Sequence, residues 1–343
     1  MNNLYKKHCL KIKDLTKHEI NQIINLAEVI KKARNKKQEI KYLKNKKIAL
    51  IFEQESTRTR CSFEVAAFEQ GAQVTYLGAG NTHLGYKESI SDTMQVLNRL
   101  YNGIGYRGIH HNNIKILSHY SKIPIWNALT KKYHPTQLLA DLLTIKENTI
   151  NKSVSEITLA YVGDASNNIA NTLLELALII GFKLHLVAPK EYWPKSDVIQ
   201  KMYKTNKKKF LCTENIKEGV KKADFIYTDV WVSMGDKKNE WDKKINLLKK
   251  YQINQKLLSY TKNYNIQVLH CLPALHDQNT IIGKKCSTLY NLPDGIEITN
   301  EIFQSHKKII FNQSENKLHT IKALMILTLK KNIDYISTKQ TNI

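Results

Sequence analysis

Short apolar runs alternate with amphipathic stretches along almost all of this 343-residue chain, and that alternation restricts the fold more than any other feature. Residues 46–52 (KKIALIF), 72–78 (AQVTYLG) and 123–129 (IPIWNAL) read as strands. Residues 16–34, 62–71 and 89–101 read as helices, as do 134–149, where Pro135 occupies the first turn. The segment GIGYRG reads as leading into a turn region. After a polar connection, INKSVSE, strands are expected at 156–164, 183–189, 223–231 and 266–274, a helix at 167–181, and a closing amphipathic helix at 319–331. Such a series predicts parallel sheets flanked by helices, in two doubly wound α/β domains with a boundary near 145–155.

Composition narrows the setting. The longest apolar run, near residues 173–180, is broken by Glu175 and falls short of the roughly 18–20 residues a membrane helix needs. The five cysteines, Cys9, Cys61, Cys212, Cys271 and Cys286, lack CxxC spacing and suit a reducing cytoplasm better than a disulfide framework or a zinc site. The histidines outside HPTQ and HCLPALHD, the His110–His111 pair included, show no metal-ligand spacing and read as surface residues. A net charge of +23 invites a nucleic-acid reading. The lysines are spread evenly, however, and no nucleic-acid-binding motif accompanies them, so neither nucleic acid nor membrane is expected as a partner.

Of 53 basic residues only five are arginine: Arg34, Arg58, Arg60, Arg99 and Arg107. In a lysine-rich chain an arginine suggests a need for a planar, bidentate fork. Two lie in STRTR, residues 56–60, between a strand and a helix. There the hydroxyls can cap the helix, while its free N–H groups and Arg58 bind an anion; a plain capped helix would show the same letters. Arg107 lies in a glycine-flanked segment, and His134, Thr136 and Gln137 open a helix as possible donors to a carbonyl or phosphate oxygen. In the second half, Asn168 follows a strand, Asp229 ends one and can hold an ammonium group, and Cys271 ends another in HCLPALHD. Each also has an ordinary structural reading.

Taken in order, S-T-R-T-R, Y-R-G, H-P-T-Q, D-V-W-V-S-M-G, H-C-L-P and E-N-x-x-H resemble the ornithine carbamoyltransferase family from about residue 52 to residue 329. The resemblance implies carbamoyl transfer from carbamoyl phosphate to the δ-amine of L-ornithine, in arginine metabolism, with no metal or organic cofactor. It implies a carbamoyl phosphate-binding domain over 1–150, with a C-terminal helix at about 318–335 returning to it, and an ornithine-binding domain over 151–317. Ser56, Thr57, Arg58 and Thr59 would bind phosphate, Arg107 would bridge phosphate and carbonyl, and His134, Pro135, Thr136 and Gln137 would hold the carbamoyl group. Asn168, Asp229, Ser233 and Met234 would take ornithine, with Cys271 and Leu272 lining the reaction centre. It also implies a cytoplasmic homotrimer with sites shared between subunits.

Two positions depart from the family pattern. Lys317 stands where an arginine is usual, keeping the charge without the fork, and His83 stands where bacterial members commonly carry glutamine. Two other readings stay open: a carbamoyltransferase for another acceptor, such as putrescine or an acylated ornithine, and a non-catalytic binding protein that keeps the fold.

Overall fold

A computed structural model describes residues 3–79, 87–232 and 238–332, the side chains of Asn206, Lys238 and Asn239 excepted. Two compact units divide the chain after Lys146 and again before Glu315.

In the first unit the elements run α1 (Lys17–Asn35), β1 (Lys47–Phe52), α2 (Thr57–Glu69), β2 (Gln73–Leu77), α3 (Ile90–Leu100), β3 (Gly103–Arg107), α4 (His111–Tyr120), β4 (Ile125–Leu129) and α5 (Pro135–Asn148). The four strands form one parallel sheet in the order β2-β1-β3-β4. β1 is buried on both faces beyond Lys47, as a strand under helices must be. The GIGYR segment is not a lead-in to a turn but the interior strand β3. Its glycines hide it from a pattern search while serving the packing. A Cβ on Gly103 would stand 2.4 Å from the Trp126 ring, and one on Gly105 would stand 2.7 Å from Leu50.

The second unit contains β5 (Thr158–Val162), α6 (Asn168–Ile180), β6 (Lys183–Val187), α7 (Ser196–Asn206), β7 (Phe210–Thr213), α8 (Ile216–Gly219), β8 (Phe225–Thr228), α9 (Lys238–Leu248), α10 (Gln255–Ser259), β9 (Gln267–His270) and α11 (Ile281–Tyr290). Its five strands are again parallel, ordered β7-β6-β5-β8-β9. The fold class is therefore the expected one, two parallel sheets flanked by helices.

The last helix, α12 (Asn300–Leu329), is longer than expected. It begins well before residue 318 and carries the chain back to the first unit. Three buried polar contacts hold its C-terminal half there. Asn316 donates to Thr144 Oγ1 at 2.9 Å, Trp126 Nε1 donates to Thr328 Oγ1 at 3.0 Å, and the fully buried Lys322 Nζ meets Glu39 at 2.7 Å.

Two histidines expected at the surface, His111 and His319, are internal. His111 is buried, with Nδ1 3.1 Å from Thr130 Oγ1 and its ring edge-on to Tyr133, and burial pulls its pKa down to about 4. His110 beside it is exposed. Among the described residues no helix is long and apolar enough to cross a membrane.

Candidate active site

In an open α/β sheet, ligands bind beyond the carboxyl ends of the strands, where the chain reverses its direction of travel across the sheet. In the first unit that point lies between β1 and β3. The sheet register sets Phe52 opposite Arg107, and Arg107 opposite Leu129, so three strands end together. α2, α4 and α5 start from these ends, and the residues singled out in sequence gather around them.

Ser56 is the N-cap residue of α2, but its hydroxyl makes no capping bond, contrary to the expected role. The first-turn N–H groups of a helix have no partner within the helix, and its dipole makes that end electropositive. Arg58 is exposed on this turn and Thr59 is buried. Arg107 is largely buried. Its pKa is pushed down to about 10, first by burial and then by the like charge of Arg58, and its buried Nε has no hydrogen-bond partner among the described residues. A largely buried cation with an exposed one close enough to repel it makes a place suited to an anion. The remaining arginines have structural employment. Arg34 forks onto Glu69, Arg99 donates to the Gln95 carbonyl, and Arg60 pairs with Glu64 at 2.9 Å while stacking 3.7 Å above the Tyr76 ring.

His134 and the start of α5 complete this cluster. His134, Thr136, Gln137 and Pro135 are all buried. Burial, then the charges of Lys317 and Arg107, hold the His134 pKa well below its usual value, so the imidazole is neutral. Thr136 Oγ1 lies 3.5 Å from His134 Nδ1. Gln137 Nε2 donates to Asp141 Oδ1 at 2.8 Å, which turns the amide oxygen of Gln137 away as an acceptor. Lys317, on α12, is buried and close enough to act on His134.

In the second unit the reversal lies between β5 and β8. Asn168 opens α6 after β5, with Asn167 as its cap, and Asp229 directly follows β8. Asp229 Oδ1 accepts from the Val230 N–H at 2.8 Å. Burial pushes its pKa up to about 6; His270 and the Val230 N–H oppose that rise, and Glu297 reinforces it. Cys271 follows β9, and its Sγ is 2.8 Å from the Tyr227 hydroxyl; the half-buried Leu272 is next. The register pairs Tyr161 with Tyr227, with their rings edge to face at 5.7 Å, and Asn167 Nδ2 donates to the Tyr161 hydroxyl. His270 is fully buried. Its Nδ1 donates to the Cys271 carbonyl at 2.5 Å, and its Nε2 faces Glu297 Oε1 at 3.2 Å.

His83, Ser233 and Met234 lie outside the described residues. α9, which follows the second of those segments, is tied down by Lys244, whose Nζ reaches Asp164 Oδ2 at 2.7 Å. Sequence reasoning passed over Tyr227, Asp164, Lys244, His270 and Glu297. For Tyr227 a signal was present, because residues two apart in a strand share a face and Tyr227 precedes Asp229 by two. Among the described residues no group of three or more His, Cys, Asp or Glu side chains is placed to hold a metal ion.

Paired parallel-sheet units, each with a polar cluster at its reversal point, define an α/β protein in which the first cluster is strongly cationic. The particular kind follows from comparison. Residues 7–147 match the carbamoyl-P binding domain, and residues 155–328 the Asp/Orn binding domain, of aspartate/ornithine carbamoyltransferases. The chain belongs to the aspartate/ornithine carbamoyltransferase family. It is 58% identical over 338 residues to an ornithine carbamoyltransferase of Buchnera aphidicola subsp. Schizaphis graminum, covering 98% of this chain and 100% of that one. Among solved structures, the ornithine carbamoyltransferase from Pyrococcus furiosus superposes with a TM-score of 0.84 at 31% identity, covering 95% of this chain and 98% of that chain. The anabolic ornithine carbamoyltransferase from Campylobacter jejuni gives 0.79 at 34%, covering 93% and 97%.

Proposed function

We propose that this chain transfers the carbamoyl group of carbamoyl phosphate to the δ-amine of L-ornithine, releasing L-citrulline and phosphate. The observation that carries the reading is the convergence of Arg58, Arg107 and a neutral, buried His134 at the strand ends of a unit matching a carbamoyl-P binding domain.

The chemistry asks for that equipment. The neutral amine attacks the carbonyl carbon, a C–N bond forms, and the C–O bond to phosphate breaks. Negative charge grows on the carbonyl oxygen and then on the leaving phosphate, which accepts the proton lost by nitrogen. Ser56, Thr57, Arg58 and Thr59 present N–H groups and a guanidinium to the phosphate, and Arg107 reaches both phosphate and carbonyl oxygen. His134, being neutral, donates an N–H to that oxygen without surrendering a full proton. The Gln137 oxygen, freed by the bond to Asp141, accepts from the carbamoyl NH2. Donors fixed in advance on a developing oxyanion contribute about 3 kcal/mol each in comparable sites. Asn168 and Asp229 hold the α-carboxylate and α-ammonium of ornithine, and Cys271 lies beside its reacting amine.

The enzyme is read as a cytoplasmic homotrimer of arginine biosynthesis. The exposed apolar side chains Val65 and Phe68 on α2, and Val96 and Leu100 on α3, are surface that association would cover. A monomer by sedimentation velocity would refute the trimer.

Calorimetry with a phosphonoacetyl-ornithine bisubstrate analogue, run beside an activity assay, tests the reading against a non-catalytic binding protein. Tight binding together with turnover supports an enzyme, and tight binding without turnover supports the alternative.

A further inference from the structure

Glu53 opens the loop between β1 and α2, three residues before Ser56, and its bonds cross to the strand that carries Arg107. Its backbone N–H donates to the Arg107 carbonyl at 2.8 Å. Its carboxylate accepts from the Tyr106 hydroxyl at 2.5 Å, from the Ile109 N–H at 3.3 Å and from Asn113 Nδ2 at 3.4 Å. One side chain thus binds the residue before Arg107 and the residue after Gly108. The contact leaves no spare room, since a Cβ on Gly108 would lie 2.2 Å from the Tyr106 hydroxyl and 2.6 Å from Glu53 Oε2.

Arg107 needs such a support. β1 pairs Arg107 with Phe52 in register, but on the other side the β3–β4 register shifts between Tyr106 and Arg107, so the ladder is regular on one edge only where Arg107 stands. Its buried Nε has no partner among the described residues, and Arg58 repels it. A carboxylate directed into the anion site would oppose phosphate, but the oxygens of Glu53 are turned onto Tyr106, Ile109 and Asn113.

We propose that Glu53 is a positioning residue for carbamoyl phosphate binding: it locks residues 106–109 to the loop that launches α2, and so sets the Arg107 guanidinium against Arg58 and the helix N-terminus. The proposal rests on the carbamoyl phosphate reading of this cluster. Tyr106 is the other half of the clamp; burial and the Glu53 carboxylate both raise its pKa, so its hydroxyl stays protonated as the donor.

The test is steady-state kinetics on Glu53→Ala, Glu53→Gln and Tyr106→Phe, with Glu53→Ala repeated in an Arg107→Lys background. In Glu53→Ala the KM for carbamoyl phosphate should rise about tenfold while the ornithine KM at saturating carbamoyl phosphate stays within about twofold. Glu53→Gln keeps an acceptor oxygen and should recover most of the loss. In the Arg107→Lys background the same change should cost less than about threefold, because a residue acting through Arg107 has little left to act on. An unchanged KM in Glu53→Ala, or an equal loss in both backgrounds, overturns the proposal and leaves Glu53 a structural staple. Should the wild-type chain show no turnover, the functional reading falls, and titration with inorganic phosphate decides this one. Weaker phosphate binding by Glu53→Ala, largely restored in Glu53→Gln, supports it, and equal binding by Glu53→Ala and wild type overturns it.

Discussion

The Tyr227 hydroxyl lies 2.8 Å from the Cys271 sulfur, joining the last turnings of two adjacent parallel strands inside the candidate ornithine half of the site. Both groups are buried, so the contact helps to hold the thiol in one rotamer. Tyr227→Phe removes only the hydroxyl. It should lower kcat/KM for ornithine roughly tenfold, the effect of one buried hydrogen bond, and should speed alkylation of Cys271 in a peptide-resolved assay. Unchanged kinetics and unchanged alkylation would deny the contact any role.

Asp229 gives a pH signature. Its pKa is raised to about 6, mainly by burial, whereas its role in holding an ammonium requires the carboxylate. The δ-amine of ornithine, with an ordinary pKa of about 10, must also lose a proton before attack. Log kcat/KM for ornithine should therefore climb with slope 1 at neutral pH and steepen toward slope 2 below about pH 6. His134, held well below its usual pKa by burial, is already neutral at neutral pH and adds no break there. Asp229→Asn should remove the additional acid limb along with most of the activity. A single slope in the wild type down to pH 5 would contradict the assignment.

The same shift has a stability consequence of opposite sign to the usual carboxylate case. A carboxyl whose folded pKa lies above its unfolded value binds more protons in the native state between the two, so stability falls as pH rises from about 4 to about 6. Ionised Asp229 costs the fold roughly 2 kcal/mol at neutral pH, allowing for the water that still reaches it. Asp229→Asn should therefore raise Tm at pH 7.5 and lose that advantage near pH 4. A lower Tm at pH 7.5 would refute this.

Lys317 lies near His134 as a buried point charge where the family pattern has arginine. Lys317→Arg restores a fork and should lower the KM for carbamoyl phosphate by about fivefold, the gain from one added charge-assisted bond. If the KM is the same in both proteins, lysine already does all that arginine would.

Lys322 tests how α12 is held. Its fully buried ammonium meets Glu39 at 2.7 Å and also pairs with Glu69. Lys322→Met takes the ammonium from Glu39 and leaves Glu69 with Arg34, a change that costs about 3 kcal/mol. Urea unfolding of the variant should show it, with the midpoint shifted down; an unchanged midpoint would mean that Arg34, which also forks onto Glu69, carries the network alone.

What was legible in the sequence follows from how far each feature depends on neighbours in the chain. β1 shows as an apolar run because both its faces are covered, and STRTR and HPTQ each complete a local helix start. β3 was hidden because Gly103 and Gly105 trade side chains for close approach by Trp126 and Leu50. α12 was shortened because its polar N-terminal half breaks the apolar stripe. The pairings that organise the site are long-range. Tyr227 with Cys271, Glu53 with Tyr106, and His270 with Glu297 become visible only when strands lie side by side.

The most direct measurement is citrulline formation by the purified protein with carbamoyl phosphate and L-ornithine, with putrescine and L-aspartate run in parallel as acceptors. Turnover with ornithine, and at least a hundredfold less with either alternative (about 2.7 kcal/mol of discrimination), is the expected result. Turnover with putrescine at a comparable rate, or none with any acceptor, would contradict the assignment.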